Sequence, residues 1–264
     1  MDLNNLCKQV CDISRQTGAF ILGELPKFQT NTVESKSLHN FVTHVDKSSE
    51  AKLVKELSKL VPEAGFIAEE GTSSVRGDRY NWVIDPLDGT TNFIHGLPPF
   101  AISIALMDRS EVILGVVHEV VSKETFYAWK DSAAWLNGKE IHVSKIESIK
   151  DSLIATGFPY TEFHRIKPFM QSMEHLFTNS HGVRRLGSAS VDMAYLACGR
   201  FEAFYEYGLS PWDVAAAALI VQQAGGKISD FKGGNDYIFG REIIVTNSAV
   251  FDEFSKLIRD IFVA

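Results

Sequence analysis

The 264 residues carry a formal charge of −7, with 45% hydrophobic and 22% charged residues; this balance provides a sizeable core and excludes a globally disordered chain. The acidic surplus argues against a polyanion-binding surface, which is ordinarily basic, although a bound cation can reverse the field locally and admit a small phosphorylated ligand. No apolar run reaches the length of a membrane span, the N-terminus lacks the basic start and apolar stretch of a signal peptide, and three cysteines are too few for a disulfide framework, so a soluble cytoplasmic protein is expected.

Leu3, Leu6, Val10, Ile13 and Phe20 recur at helical spacing and predict an amphipathic first helix, with Cys7 and Cys11 as small buried thiols on it. Residues 28–46 are polar and turn-rich and read as a loop or irregular hairpin. A second helix is expected from about Lys47 to Leu60, followed by a brief strand in "GFIAEEG" that ends at Glu69 and Glu70. "WVIDPLDGTTNF" (82–93) opens as a buried strand and closes with two aspartates, Asp85 and Asp88, then small and hydroxyl residues. Strand-like runs follow in "FAISIALM", "EVILGVVHEV" and "TFYAW", and Asn137-Gly138 between "AAWL" and "KEIHV" signals a hairpin. The first half therefore reads as helices against a largely antiparallel sheet.

After a soft boundary near residues 145–151 the rhythm changes. Strands are expected in "SLIATGF", "RFEAFYEY", "KISDF" and "EIIVTN". Helices are expected in "RIKPFMQSMEHLF", "ASVDMAYLACG", "PWDVAAAALIVQQAGG" and "AVFDEFSKLIRDIF". The alternation suggests a layered α/β lobe. The whole is expected to be one catalytic domain of two packed lobes, about 1–148 and 149–264.

Four carboxylates stand where hydrophobic elements meet loops: Glu69, Asp85, Asp88 and Asp213, the places where α/β proteins form sites. Each has a plain alternative. Asp88-Gly89 is a common turn pair, Asp213 can cap a helix from Ser210 with Pro211 at its first position, and Glu69 and Glu70 can sit in a solvated loop. Together they need compensation, because two carboxylates about 4 Å apart repel by roughly 4 kcal/mol at an effective dielectric of about 20. All-oxygen donors suit a hard ion, Mg²⁺ being the common one that partners phosphate, and the histidines show no zinc spacing. Gly89, Thr90, Thr91 and Asn92 allow a turn whose N–H groups face outward as an anion site. The combination points to metal-assisted hydrolysis of a phosphate ester; no P-loop pattern occurs.

Asp46, "AEE" (68–70), "DPLDGTTNF" (85–93) and "SPWDVAA" (210–216), together with "RRLGSASVDMAYLACGRFEAFYEYG", resemble the inositol monophosphatase family of Mg²⁺-dependent, lithium-sensitive phosphatases, over nearly the whole chain. The resemblance implies an αβαβα sandwich, usually dimeric. It implies Glu69, Asp85 and the Leu87 carbonyl as ligands of a first Mg²⁺, and Asp85, Asp88 and Asp213 as ligands of a second, with Glu69 also near a third. Thr90 would position the attacking water with support from Asp46. Gly89 and Thr90 would hold the phosphate, with Lys36 a cationic neighbour. Asp88, Gly187, Ser188, Ala189, Glu206 and Asp213 would contact the substrate, while Trp212 would pack.

The substrate implied is myo-inositol 1-phosphate. Histidinol phosphate, fructose-1,6-bisphosphate, NADP and other sugar phosphates are alternatives within the superfamily, since the metal motifs are shared. No nucleic acid or membrane partner is expected. A regulatory role beside the transcription machinery is an alternative of another class, for which Arg184 and Arg185 could face a partner or make structural ion pairs.

Overall fold

A computed structural model describes residues 1–28, 34–37, 40–73, 75–159 and 162–263, with the backbone alone at 35–37, 40 and 41. Helix α1 (Leu3–Glu24) starts at Asp2, whose carboxylate accepts the Asn5 N–H at 3.1 Å. The polar stretch that follows contains an antiparallel pair, β1 (Glu34–Ser37) and β2 (Asn40–Val42), with an irregular register. Helix α2 (His44–Leu60) begins three residues before the position expected from periodicity. Thr43 supplies the reason: its N–H and hydroxyl both donate to Asp46, which stands three residues on and closes a capping box.

The first large sheet has seven strands in chain order: β3 (Gly65–Ala68), β4 (Tyr80–Asp88), β5 (Ala101–Asp108), β6 (Glu111–Glu119), β7 (Glu124–Trp129), β8 (Ala134–Leu136) and β9 (Lys139–Ile141). Only β3 and β4 run parallel; the other neighbours are antiparallel. The β8–β9 turn has positive φ at both Asn137 (48°) and Gly138 (84°), as a tight two-residue hairpin requires.

The second sheet has five strands in the order β11-β10-β12-β14-β13. They are β10 (Leu153–Thr156), β11 (Gly182–Arg184), β12 (Ala203–Tyr207), β13 (Lys227–Ser229) and β14 (Glu242–Thr246). Here β10 is parallel to both its neighbours and β14 antiparallel to both of its own.

Five layers result. Helices α1 and α2 cover one face of the seven-stranded sheet around Trp82, Ile84, Ile102, Ile104 and Leu106. Helices α5 (Ala189–Ala197) and α6 (Pro211–Gln223) lie between the two sheets. Helices α4 (Ile166–Asn179) and α7 (Phe251–Phe262) cover the outer face of the five-stranded sheet around Tyr205, Phe231, Phe254 and Ile258. The fold is thus the αβαβα sandwich. Strand period decides which side takes which helix. On β5 the bulky Ile102, Ile104 and Leu106 face α1 and α2, while the small Ala101 and Ala105 face α6. On β6 a Cβ at Gly115 would lie 2.4 Å from the Ala216 carbonyl oxygen, so only glycine lets the alanine-rich α6 lie this close to the sheet. That approach carries the N-terminus of α6, and Asp213 with it, toward the end of β4. Among the described residues no helix is long and apolar enough to cross a membrane, and Cys7, Cys11 and Cys198 are free thiols.

Candidate active site

The end of β4 departs from regular strand geometry. Asp85 pairs with Ser103 and Asp88 with Ala101, so three steps along β4 oppose two along β5. In a regular strand residues three apart point to opposite faces. The extra residue is a bulge at Pro86-Leu87, and it lets both aspartates reach one cavity. Short helix α3 (Thr90–Ile94) starts immediately afterwards, with Gly89 in the left-handed region at φ 93°. The helix has only five residues, so the aligned dipole at its N-terminus is small.

Strand β3 delivers Glu69. Ala68 lies beside Ile84 in the parallel register, and the Glu69 N–H donates to the Ile84 carbonyl at 3.2 Å, which sets Glu69 alongside Asp85. Helix α6 delivers Asp213 from the other side, fastened to the sheet by the Ser103 hydroxyl, which donates to the Trp212 carbonyl at 2.9 Å. Asp213 does serve as a cap: it accepts the Ser210 N–H at 2.7 Å. Capping and lining the cavity are compatible, since the cap bond occupies one of its two oxygens.

These elements enclose a cavity of about 350 Å³. Glu69, Asp85, Leu87, Asp88, Gly89, Thr90, Gly187, Ser188, Ala189, Glu206 and Asp213 all line it. Asp46 stands behind this wall and connects to it through Thr90, whose hydroxyl lies 3.0 Å from both an Asp46 oxygen and the Leu87 carbonyl. Trp212 packs against the core between the sheets and also forms part of the wall. The Lys36 side chain lies outside the described residues. Arg185 turns toward the cavity, with its guanidinium 5.4 Å from the Phe158 ring centre, whereas Arg184 is exposed.

The electrostatics set this wall apart. Burial pushes the Asp85 carboxyl well above the usual range, and Glu69, Asp88 and Asp213 add repulsion. Asp213 is raised well above its ordinary value by burial and by Asp88, Glu69 and Glu206, against the Ser210 N–H. Asp88 is also raised by burial, but three donors oppose it: the Ser188 hydroxyl at 2.6 Å and the Ser190 N–H and hydroxyl at 2.8 and 2.6 Å. Glu206 is pushed up to about 8, chiefly by burial. Its carboxyl packs directly on Gly157, where a Cβ would fall 1.8 Å from Oε1.

Four contributors lie in or beside the quoted stretches, but their roles in the site were not read from the sequence. Ser190 donates to Asp88. Asn92 Nδ2 donates to the Pro99 and Leu186 carbonyls at 2.7 and 2.8 Å, tying α3 to the segment before Gly187. Gly157 makes room for Glu206. Asp192 is buried in the wall with one oxygen that has no hydrogen-bond partner among the described residues; burial, Glu206 and Asp88 raise it well above its usual range.

As placed, no three His, Cys, Asp or Glu side chains among the described residues form a cluster tight enough to hold an ion. The donor set nevertheless fits a hard divalent cation. Its members are oxygens, they face a shared space, and their mutual repulsion is of the kind that positive charge relieves.

Residues 2–261 match the inositol monophosphatase family model. The chain belongs to the inositol monophosphatase family. It is 40% identical to the Nus factor SuhB of Pseudomonas aeruginosa over 243 residues, covering 90% of each chain. It is 38% identical to the fructose-1,6-bisphosphatase/inositol-1-monophosphatase of Thermotoga maritima, covering 88% of each. The extragenic suppressor protein suhB of Bartonella henselae shares the fold with a TM-score of 0.90 at 33% identity, covering 97% of this chain and 98% of the other. Membership in the inositol monophosphatase family supports phosphatase activity in general.

Proposed function

We propose that the chain is a Mg²⁺-dependent phosphomonoesterase that hydrolyses myo-inositol 1-phosphate, and related inositol monophosphates, to inositol and phosphate. The observation that carries this reading is the make-up of one cavity's lining. Glu69, Asp85, Leu87, Asp88 and Asp213 offer only oxygen donors, and Glu206, Gly187, Ser188 and Ala189 add polar contacts in the same cavity. Glu69, Asp85 and the Leu87 carbonyl would hold one Mg²⁺; Asp85, Asp88 and Asp213 would hold a second, and Glu69 would adjoin a third. When bound, Mg²⁺ lowers the pKa of an attacking water and neutralises charge on the leaving oxygen.

The chain's own residues orient the reaction. The Thr90 hydroxyl has one proton and two acceptors in reach, Asp46 and the Leu87 carbonyl. When it donates to Asp46 its lone pairs are free to accept a proton from water. Attack forms the new P–O bond as the ester P–O bond breaks. The water's proton passes through Thr90 to Asp46, whose burial raises its proton affinity, and the leaving alkoxide takes a proton from solvent. The amides around Gly89 and Thr90 would hold the phosphate. Glu206 would meet ring hydroxyls, with Gly157 leaving it room.

The Thermotoga maritima relative, which bears the name fructose-1,6-bisphosphatase/inositol-1-monophosphatase, supports a cyclic polyol or sugar phosphate as substrate. A cytoplasmic homodimer inhibited by lithium completes the reading. The test is phosphate release from inositol 1-phosphate, histidinol phosphate, fructose-1,6-bisphosphate and NADP, with Mg²⁺ and with EDTA. Release from inositol 1-phosphate with the highest kcat/KM, lost in EDTA, is expected. Faster turnover of another member reassigns the substrate, and EDTA-resistant release overturns the metal reading.

A second reading is favoured by the Pseudomonas aeruginosa relative that is named a Nus factor: association with the transcription machinery through protein contacts. It predicts that a catalytically dead variant retains binding to purified transcription proteins. No retention would remove it.

A further inference from the structure

Helix α2 supports the cavity from behind at two places. Asp46 meets Thr90, and one turn further on Glu50 meets the segment that follows Glu69. Glu50 is 0% exposed, and its two oxygens serve two different amides. Oε2 accepts the Glu70 N–H and Oε1 accepts the Thr72 N–H, both at 2.7 Å. These are short, charge-assisted bonds. The residue between strand and loop is therefore gripped on both sides: the Glu69 N–H is tied to Ile84 on β4 and the next N–H to Glu50 on α2. Burying a carboxylate costs free energy unless donors compensate, and here the loop's own amides supply them.

We propose that Glu50 is a positioning residue for the metal site. By clamping Glu70 and Thr72 it holds the Glu69 carboxylate in place beside Asp85, and so sets the affinity for divalent metal without touching metal or substrate. The proposal rests on the metal-dependent reading above. Supporting partners outside the ligand shell commonly govern metal affinity by about 10–100-fold.

The test is titration of the full chain with Mn²⁺ alone, followed by electron paramagnetic resonance, in wild type and Glu50→Gln. The glutamine keeps one acceptor but turns an NH₂ toward the second amide. We expect Mn²⁺ affinity to fall about tenfold or more. Hydrogen exchange should accelerate at Glu70 and Thr72, while the remaining amides keep their protection. Glu202→Gln is the control. Glu202 is also a buried glutamate on a backbone amide, accepting the Leu153 N–H at 2.7 Å, but that amide starts β10, whereas those held by Glu50 adjoin Glu69. It should leave Mn²⁺ affinity unchanged even if it lowers Tm.

A folded Glu50→Gln protein with wild-type Mn²⁺ affinity overturns the proposal while leaving the phosphatase reading intact. Wild type that binds no Mn²⁺ overturns both. If Glu50→Gln fails to fold, Glu50→Asp is titrated instead; it is one methylene too short to span both amides and should weaken Mn²⁺ in the same sense, and an unchanged affinity there counts against the proposal equally.

Discussion

Two groups of buried carboxylates sit on adjoining elements of this fold and are compensated in opposite ways. On α2, Asp46 and Glu50 are 1% and 0% exposed, and each accepts hydrogen bonds on both oxygens from backbone or hydroxyl donors. On the cavity floor, Asp85 accepts one backbone N–H, from Leu87 at 2.9 Å, and its other influential neighbours are Glu69, Asp88 and Asp213. The first group is settled by folding, because the chain itself supplies the positive ends of the dipoles. In the second, Asp85 has one donor against three acidic neighbours, an arrangement that positive charge would relieve.

The sharpest way to break this contrast is Asp85→Asn. The amide oxygen can still accept the Leu87 N–H, so local geometry survives while the charge goes. Turnover should fall by more than the roughly 100-fold typical of a supporting residue, and in EDTA the Tm should rise, because repulsion is relieved. Phosphate-release kinetics and calorimetry together check both; normal turnover with a lower Tm would mean the floor is compensated like α2.

Thr43→Ala probes the other group and should move stability the opposite way. It removes a hydroxyl that donates to Asp46 and caps α2. Loss of such a cap costs about 1 kcal/mol, or about 2–4 °C in Tm for a chain of this size, with or without metal. An unchanged Tm in denaturation would show that the Asp46 end of α2 is held by something other than its cap.

The smallest effect concerns Glu206. Its folded-state value near 8 lies above the ordinary 4.5. Between those values the folded chain keeps a proton that the unfolded chain releases, so stability falls as pH rises through that window and is level on either side. Cavity water mutes the slope, since Glu206 keeps partial exposure. In EDTA, Glu206→Gln should flatten the decline in Tm between about pH 5 and pH 8. An equal slope in both proteins would assign the decline to the other raised carboxyls, Asp46, Asp85, Asp88, Asp192 and Asp213.

Much of this was legible in the residues. Hydrophobic period placed α1 and the buried strands, Asn137-Gly138 placed a hairpin, and Ser210-Pro211 placed the start of α6. The start of α2 was harder, because its cap is a polar residue inside a polar stretch, and a capping box is weaker on the page than an apolar face. The site was legible as a set of motifs whose common feature is a carboxylate at the end of an apolar element. The supporting residues were not. Glu50, Ser190, Asn92 and Gly157 act through contacts with segments 20, 102, 94 and 49 residues away, and no local pattern encodes such a meeting.

The sequence by itself determined the inventory: which elements form, which oxygen donors end them, and the family to which the chain belongs. Local propensity and motif spacing suffice for that, because each depends on neighbours along the chain. Only the tertiary structure decided how the donors converge. Asp85 and Asp88 are three residues apart and would face opposite sides of a regular strand; the bulge at Pro86-Leu87 turns both toward one cavity. Gly115 then admits α6 close enough to bring Asp213 to them. Both outcomes depend on packing between strands and helices distant in sequence, and packing of that kind is settled only when the whole core closes.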